Sequence, residues 1–181
     1  LTCFIGKDLS FKTFDGGLNW QADTNASPLV DVFFPSPNRG YGIWSNTIDG
    51  GNNWVEPQFP PTGLTPDYNC IHFVNDSIGW LGGMVSQGSP LFDYGKIAKC
   101  TDYGITCIET NFQFEMLQIR DIVFINDSVG WACGNGQSGN SRQIMKTIDG
   151  GLNWHKQFLN YTTNYSAVTQ MQCLNDSLCY A

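Results

Sequence analysis

The chain has 181 residues, 41% of them hydrophobic, enough to bury a sizeable core in one domain or in part of a larger one. Nine basic residues against sixteen acidic ones give a net charge of -7, which excludes the electrostatic footprint of a nucleic-acid binder or of a protein drawn to an anionic membrane. No stretch approaches the roughly 18 to 20 apolar residues that a membrane span requires, so no membrane insertion is expected.

The opening LTCFIGKDLS lacks the basic, apolar and small-residue regions of a signal peptide, as expected of a mature form or of a chain whose start is missing. Usage leans to β structure, with 20 Gly, 8 Pro and runs such as DVFF, CIHFV and DIVFI punctuated by Asn, Asp, Ser and Gly. Only FEMLQIRDIVF (114–124) offers a helical mixture, and its second half reads as a strand leading into a turn. The expected class is all-β.

In chain order, residues 1–27 predict strands over LTCFIG, SFKTF and NWQA, with a tight turn at Asp15 and the sequon Asn25. Residues 28–64 predict a strand DVFF, the turn PSPNRG, a strand GYGIW and a turn at Asp49. So little chain lies between GYGIW and TIDGG that the second and third strands must be short or minimally joined. The proline-rich EPQFPPTGLTP (56–66) reads as a crossing to the next unit. Residues 65–113 predict CIHFV, the NDS turn at Asn75, the strand GWLGG and a strand ending in KCTDYGITC. Residues 114–164 predict DIVFI, the NDS turn at Asn126, the strand GWACG, the loop GNGQSGN, the strand QIMKTI, a turn at Asp149 and the strand NWHKQF. Residues 165–181 begin the pattern again as QCLNDSLCYA, with Asn175 in the turn.

The repetition is internal and ordered. HFVNDSIGWLGG (72–83) returns as VFINDSVGWACG (123–134) about 50 residues later, and KTFDGGLNW (12–20), NTIDGGNNW (46–54) and KTIDGGLNW (146–154) share one phrase. A fourth copy, KCTDYGITC (99–107), keeps Asp102 and Gly104 but has Cys100 and Cys107 where the others have Thr and Trp. A repeat of four antiparallel strands with this period is the unit of a propeller blade. About four blade-equivalents are expected. The outer blades are either cut, as parts of a larger and perhaps seven-bladed propeller, or completed by closing the strand 166–174 onto the blade of residues 1–24.

The phrase K/S-T-x-D-G-G-x-x-W after a GWACG-like strand resembles the Asp-box (BNR) repeat of sialidase- and sortilin-type β-propellers, most closely that of the photosystem II stability/assembly-factor-like propellers. The resemblance covers nearly the whole chain. It implies that Asp15, Asp49, Asp102 and Asp149, with Trp20, Trp54 and Trp154, are scaffold lying away from an active face. The residues alone argue likewise: an Asp in a tight hairpin accepts bonds from backbone N–H groups and the preceding Thr hydroxyl, and the glycines supply positive φ. One carboxylate per turn also lacks the several oxygens of a calcium loop.

No catalytic constellation, cofactor site or metal site is expected. A sialidase-like enzyme would bring an arginine triad, and the three arginines present, Arg39, Arg120 and Arg142, include two that read as solvated loop residues. A xyloglucanase-like enzyme would bring facing carboxylates, and nothing pairs Glu56, Glu109 and Glu115. His72 and His155 stand in strands without other metal ligands. Tyr41, Trp44, Trp80 and Trp131 sit at repeat positions that favour core packing over a carbohydrate platform.

Seven cysteines suggest an oxidising compartment, with Cys100–Cys107 and Cys173–Cys179 as candidate disulfides and Cys3, Cys70 and Cys133 left open. The sequons Asn25, Asn75, Asn126, Asn160, Asn164 and Asn175 point the same way, although three fall in NDS turns that favour Asn for geometry alone. The expectation is a non-enzymatic, secreted or cell-surface module that binds a protein or glycan, self-association included. The alternatives are a glycoside-acting enzyme fragment and an assembly factor; the latter would imply a basic patch, from which this acidic chain departs.

Overall fold

The computed structural model describes residues 3–5, 10–25, 29–56, 67–85, 94–110, 116–136, 142–157, 159 and 168–181. They form antiparallel meanders that follow one another along the chain. The first contains β1 (Cys3–Ile5), β2 (Ser10–Thr13) and β3 (Gln21–Asp23), and the second β4 (Val32–Phe33), β5 (Gly40–Gly42) and β6 (Asn46–Thr47). The third and fourth are four-stranded: β7 (Asp67–Phe73), β8 (Gly79–Val85), β9 (Tyr94–Thr101) and β10 (Thr106–Glu109), then β11 (Met116–Phe124), β12 (Gly130–Gly136), β13 (Arg142–Thr147) and β14 (His155–Lys156). The fifth is a hairpin of β15 (Gln172–Cys173) and β16 (Cys179–Tyr180). These sheets are the blades of a β-propeller.

The register explains the G-W-x-x-G spelling of β8 and β12. Gly79 and Gly130 lie under the rings of Phe73 and Phe124, where a β-carbon would overlap the aromatic. Gly83 and Gly134 lie under the backbone of Asp67–Tyr68 and Gln118, next to the register shifts that bend β7 and β11. Glycine at the first and fifth positions of the strand lets the inner strand approach closely beside its bulge.

A separate apolar cluster fills each of the last three junctions. Tyr41 and Ile43 of the second blade pack with Phe73, Leu81 and Cys107 of the third. Trp80 and Ile97 of the third pack with Ile119, Phe124 and Met145 of the fourth, and Trp131 and Cys133 of the fourth pack with Met171 near the fifth. The first strands of successive blades, β4, β7, β11 and β15, are neighbours in that order.

Several local expectations change. Among the described residues β15 pairs with β16 and β1 with β2. The second blade is minimal, as so short a segment demands: Gly42 N–H bonds to Ser45 O at 2.7 Å and turns the chain in three residues. That turn carries Trp44, which is therefore 40% exposed, whereas Tyr41, Trp80 and Trp131 are buried. Arg142 starts β13 and is not a loop residue, because the strand partner Asn135 extends the ladder that far. Arg39 is held at a blade junction, 3.9 Å from the Asp76 carboxylate and with its guanidinium 4.6 Å from the centre of the Tyr103 ring.

Candidate functional site

Successive turns of an antiparallel meander lie at alternate ends, so the NDS turn between the first and second strands of a blade and the DGG hairpin between its third and fourth share one end. Within the fourth blade Gly150 N–H bonds to Ser128 O, and within the second Gly50 N–H bonds to Asn38 O.

Three DGG hairpins have the same wiring. Thr13, Thr47 and Thr147 are buried and donate their hydroxyls to Asp15, Asp49 and Asp149 at 2.8 Å, while accepting the N–H of the second glycine at 2.9–3.0 Å. Each carboxylate accepts the backbone N–H and the side-chain amide of Asn19, Asn53 or Asn153, with amide contacts of 2.7–2.8 Å. Both glycines have φ between 71° and 93°. Trp20 and Trp154 donate Nε1–H to the carbonyls of Gly17 and Gly151 at 3.1 Å. These bonds hold the three carboxyls at about 2, below the ordinary 3.8, with Asn19, Asn53 and Asn153 as the largest cause. The asparagines were not singled out as site residues, although each copy spells N-W at its end.

The third hairpin differs. Asp102 and Tyr103 take φ of 51° and 60° and Gly104 75°, so the chain turns here through the left-handed region, closed by the Ile105 N–H donating to Asp102 O at 3.2 Å. Cys100 and Cys107 face each other across β9 and β10 and are disulfide-bonded. Thr106 stands where the other hairpins have Asn, its hydroxyl donating to Asp102 at 3.2 Å.

The second disulfide, Cys173–Cys179, lies at another repeat position. Cys173 aligns with Phe124 and Cys179 with Gly130, so the bridge joins the two residues that elsewhere form the ring-over-glycine contact. Each disulfide therefore replaces one aromatic clasp.

Aromatic clasps continue across the junctions. Tyr41 stacks on Phe73 with centroids 3.7 Å apart, and Trp80 on Phe124 at 3.4 Å. Phe34 and Phe124 meet Trp54 and Trp154 edge to face, near 6 Å. Trp80 donates Nε1–H to Gly150 O at 3.1 Å, and the Tyr41 hydroxyl donates to Asp76 O.

On the inner strands Asp31 and Asp121 hold equivalent places, three residues before Phe34 and Phe124. Asp31 accepts the N–H of Val32 and, in the next blade, of Ile71, both at 2.9 Å. Asp121 accepts the N–H of Ile122 at 2.8 Å and of Met171 at 2.6 Å. Burial raises both carboxyls above their ordinary value, against the pull of those bonds. The third blade has Cys70 at this place, its thiol pushed well up by burial and then by the Asp121 and Asp31 carboxylates. Burial likewise pushes Cys133 up to about 12, so both buried thiols are protonated and poor nucleophiles. D-V-F-F and D-I-V-F spell these aspartates in register, but nothing local marks their partners in the next blade.

Asp121 also lines an open cleft of about 460 Å³ with Gln170, Met171, Gln172, Tyr180 and Ala181. Its amides, carboxylate and phenol offer hydrogen-bonding and stacking partners to a sugar or a peptide. The glutamates are dispersed: Glu109 pairs with Lys96 at 2.5 Å, and Glu115 lies outside the described residues. His72 is part of β7, touches Phe33 at 4.6 Å between ring centres, and has its basicity lowered by burial; His155 is exposed in β14. Among the described residues no group of three His, Cys, Asp or Glu is arranged to hold a metal ion.

Asn75, Asn126 and Asn175 are exposed, and each accepts the N–H groups two and three residues ahead through Oδ1, at 2.7–2.9 Å. Asn25 differs, its Nδ2 donating to Asn52 O of the next blade at 3.3 Å. Asn160 and Asn164 lie outside the described residues.

A β-propeller is the class that this arrangement defines. No family model and no curated protein matches the chain. Among solved structures, a GH74 enzyme of Niastella koreensis is similar over 86% of this chain at 18% identity, with a TM-score of 0.59. YCF48 bound to a D1 peptide is similar over 70% of this chain at 20% identity, with a TM-score of 0.49. The chain spans 27% and 39% of the lengths of those two proteins, and the likeness to the GH74 enzyme is one of fold.

Proposed function

We propose that this chain is a non-enzymatic interaction module of a secreted or cell-surface protein, with DGG hairpins of the Asp-box kind as scaffold and a protein or glycan as ligand. The observation that carries this reading is the use of the carboxylates. Asp15, Asp49 and Asp149 are held in place by donors of their own hairpins, and Asp31 and Asp121 tie one blade to the next. An acid–base pair needs two carboxyls free to face one substrate. In the Asp121 cleft no second carboxylate is among the described lining residues.

The two disulfides support an oxidising compartment. Incubation with α-sialosides and with β-glucan chains tests the catalytic side. The interaction reading expects no hydrolysis above the buffer rate, and turnover abolished by Asp121→Asn would replace it with the glycoside-acting alternative. Intact mass before and after glycosidase treatment tests the compartment: a protein without glycans or disulfides, isolated from its own cell, would overturn the secreted assignment.

A further inference from the structure

The end of the propeller that carries the hairpins is apolar as well as acidic. In every hairpin at least one large apolar side chain points into solvent: Phe14 and Leu18 in the first, Ile48 in the second, Ile105 in the third, Ile148 and Leu152 in the fourth, each more than half exposed and Leu18 85% exposed. Nothing in the hairpin wiring requires them. Thr, Asp, the glycines, Asn and Trp make the bonds, and these residues occupy the two positions left over. A hydrophobic residue kept exposed at corresponding places in successive blades forms a patterned surface, unlike single scattered ones.

Between these side chains stand Asp15, Asp49, Asp102 and Asp149, and beside them Asp127 and Asp176 of the NDS turns, both exposed. Among the described residues the cations at this end are engaged within the blades and at their junctions. Lys12 bonds to Gly51 O at 3.2 Å and pairs with Asp23 at 3.2 Å, Arg39 pairs with Asp76, Lys99 lies over the Trp80 ring at 5.2 Å, and Lys146 bonds to Asp176 O at 3.1 Å. The face thus offers outward negative charge interleaved with apolar side chains, and its positive charge is committed below.

We propose that the hairpin end is a docking surface for a cationic protein segment with interspersed apolar side chains, which seat on Phe14, Leu18, Ile48, Ile105, Ile148 and Leu152 while the basic groups meet the carboxylates between them. Charge complementarity fixes the sign of the partner, and the exposed apolar row separates it from a bare polycation. The inference rests on the interaction-module reading and narrows it to one surface and one partner chemistry.

The probe is a peptide of repeating Lys-Leu-Ser-Gly, titrated by calorimetry against the intact protein, with Lys-Ser-Ser-Gly and Glu-Leu-Ser-Gly peptides as controls. Only the first is expected to bind, with affinity falling as salt rises. The variant F14S/I48S/I148S/L152S, all exposed positions, is expected to weaken binding about tenfold or more at unchanged melting temperature, by loss of buried apolar contact. Trp44→Ser, at the opposite end, is expected to leave binding unchanged. Equal binding of the Lys-Ser-Ser-Gly peptide would reduce the effect to charge attraction and overturn the proposal, as would no binding at all. Binding that survives the fourfold variant but falls with Trp44→Ser would move the ligand to the other end, sinking this surface and keeping the interaction module.

Discussion

At the scale of single residues, the hairpin carboxylates set the behaviour of the protein in acid. Asp15, Asp49 and Asp149 have folded-state values of about 2 against an ordinary 3.8. A depressed carboxylate adds stability that is complete above its unfolded value and lost as pH falls through its folded one. The melting temperature is therefore expected to drop between about pH 4 and pH 2, and the variant D15N/D49N/D149N to melt lower at neutral pH with a smaller acid drop. Asp31 and Asp121 act with the opposite sign, since their raised values favour the protonated folded form and that contribution fades as pH rises. Gly130→Ala puts a methyl group into the Phe124 ring and is expected to cost about 1–3 kcal/mol in chemical denaturation, as an overpacking change does.

At the scale of elements, two different chemistries do the same work. Where three hairpins use Thr and Trp, that of the third blade uses Cys100–Cys107; where the second, third and fourth blades lay Phe34, Phe73 and Phe124 over a glycine, the fifth uses Cys173–Cys179. Restoring the common residues is expected to compensate for losing the bridge. The pair Cys173→Phe with Cys179→Gly should keep the melting temperature near that of the oxidised protein and make it insensitive to reductant, with Trp131 stacking on the new ring. Cys173→Ser with Cys179→Ser should lower it, and equal loss in both variants would refute the equivalence. Trp80 is fully buried, stacked on Phe124 and bonded to Gly150 O at once; Trp80→Ala is expected to cost about 3–5 kcal/mol.

At the scale of the whole molecule, the blade pattern was legible in the sequence because each blade repeats the same short-range constraints: a turn Asn, a glycine under a ring, a Thr-x-Asp hairpin. The all-β class and both disulfides follow from those repeats. What was not legible depends on neighbours in space. Asp31 and Asp121 matter through N–H groups of Ile71 and Met171, 40 and 50 residues away in the chain, and Arg39 reads as a loop residue until Asp76 and Tyr103 are brought beside it. The cleft next to Asp121 joins β11 to residues near the C-terminus and has no local signature. Asp121→Ala, which frees the Met171 N–H, is expected to cost about 1–3 kcal/mol, read as earlier loss of hydrogen-exchange protection at β15 and β16 than at β12.

The bonds between blades point one way. Lys12 reaches to Gly51, Asp31 to Ile71, Tyr41 to Asp76, Trp80 to Gly150, Asp121 to Met171 and Lys146 to Asp176. In each case a side chain is offered by the earlier blade and received by the backbone of the later one. On a ribosome that order has a temporal meaning. A newly emerged blade holds its tryptophan or tyrosine and its aspartate unsatisfied until the following blade supplies the carbonyls and N–H groups, so every blade waits for its successor and the growing end is always the loosest.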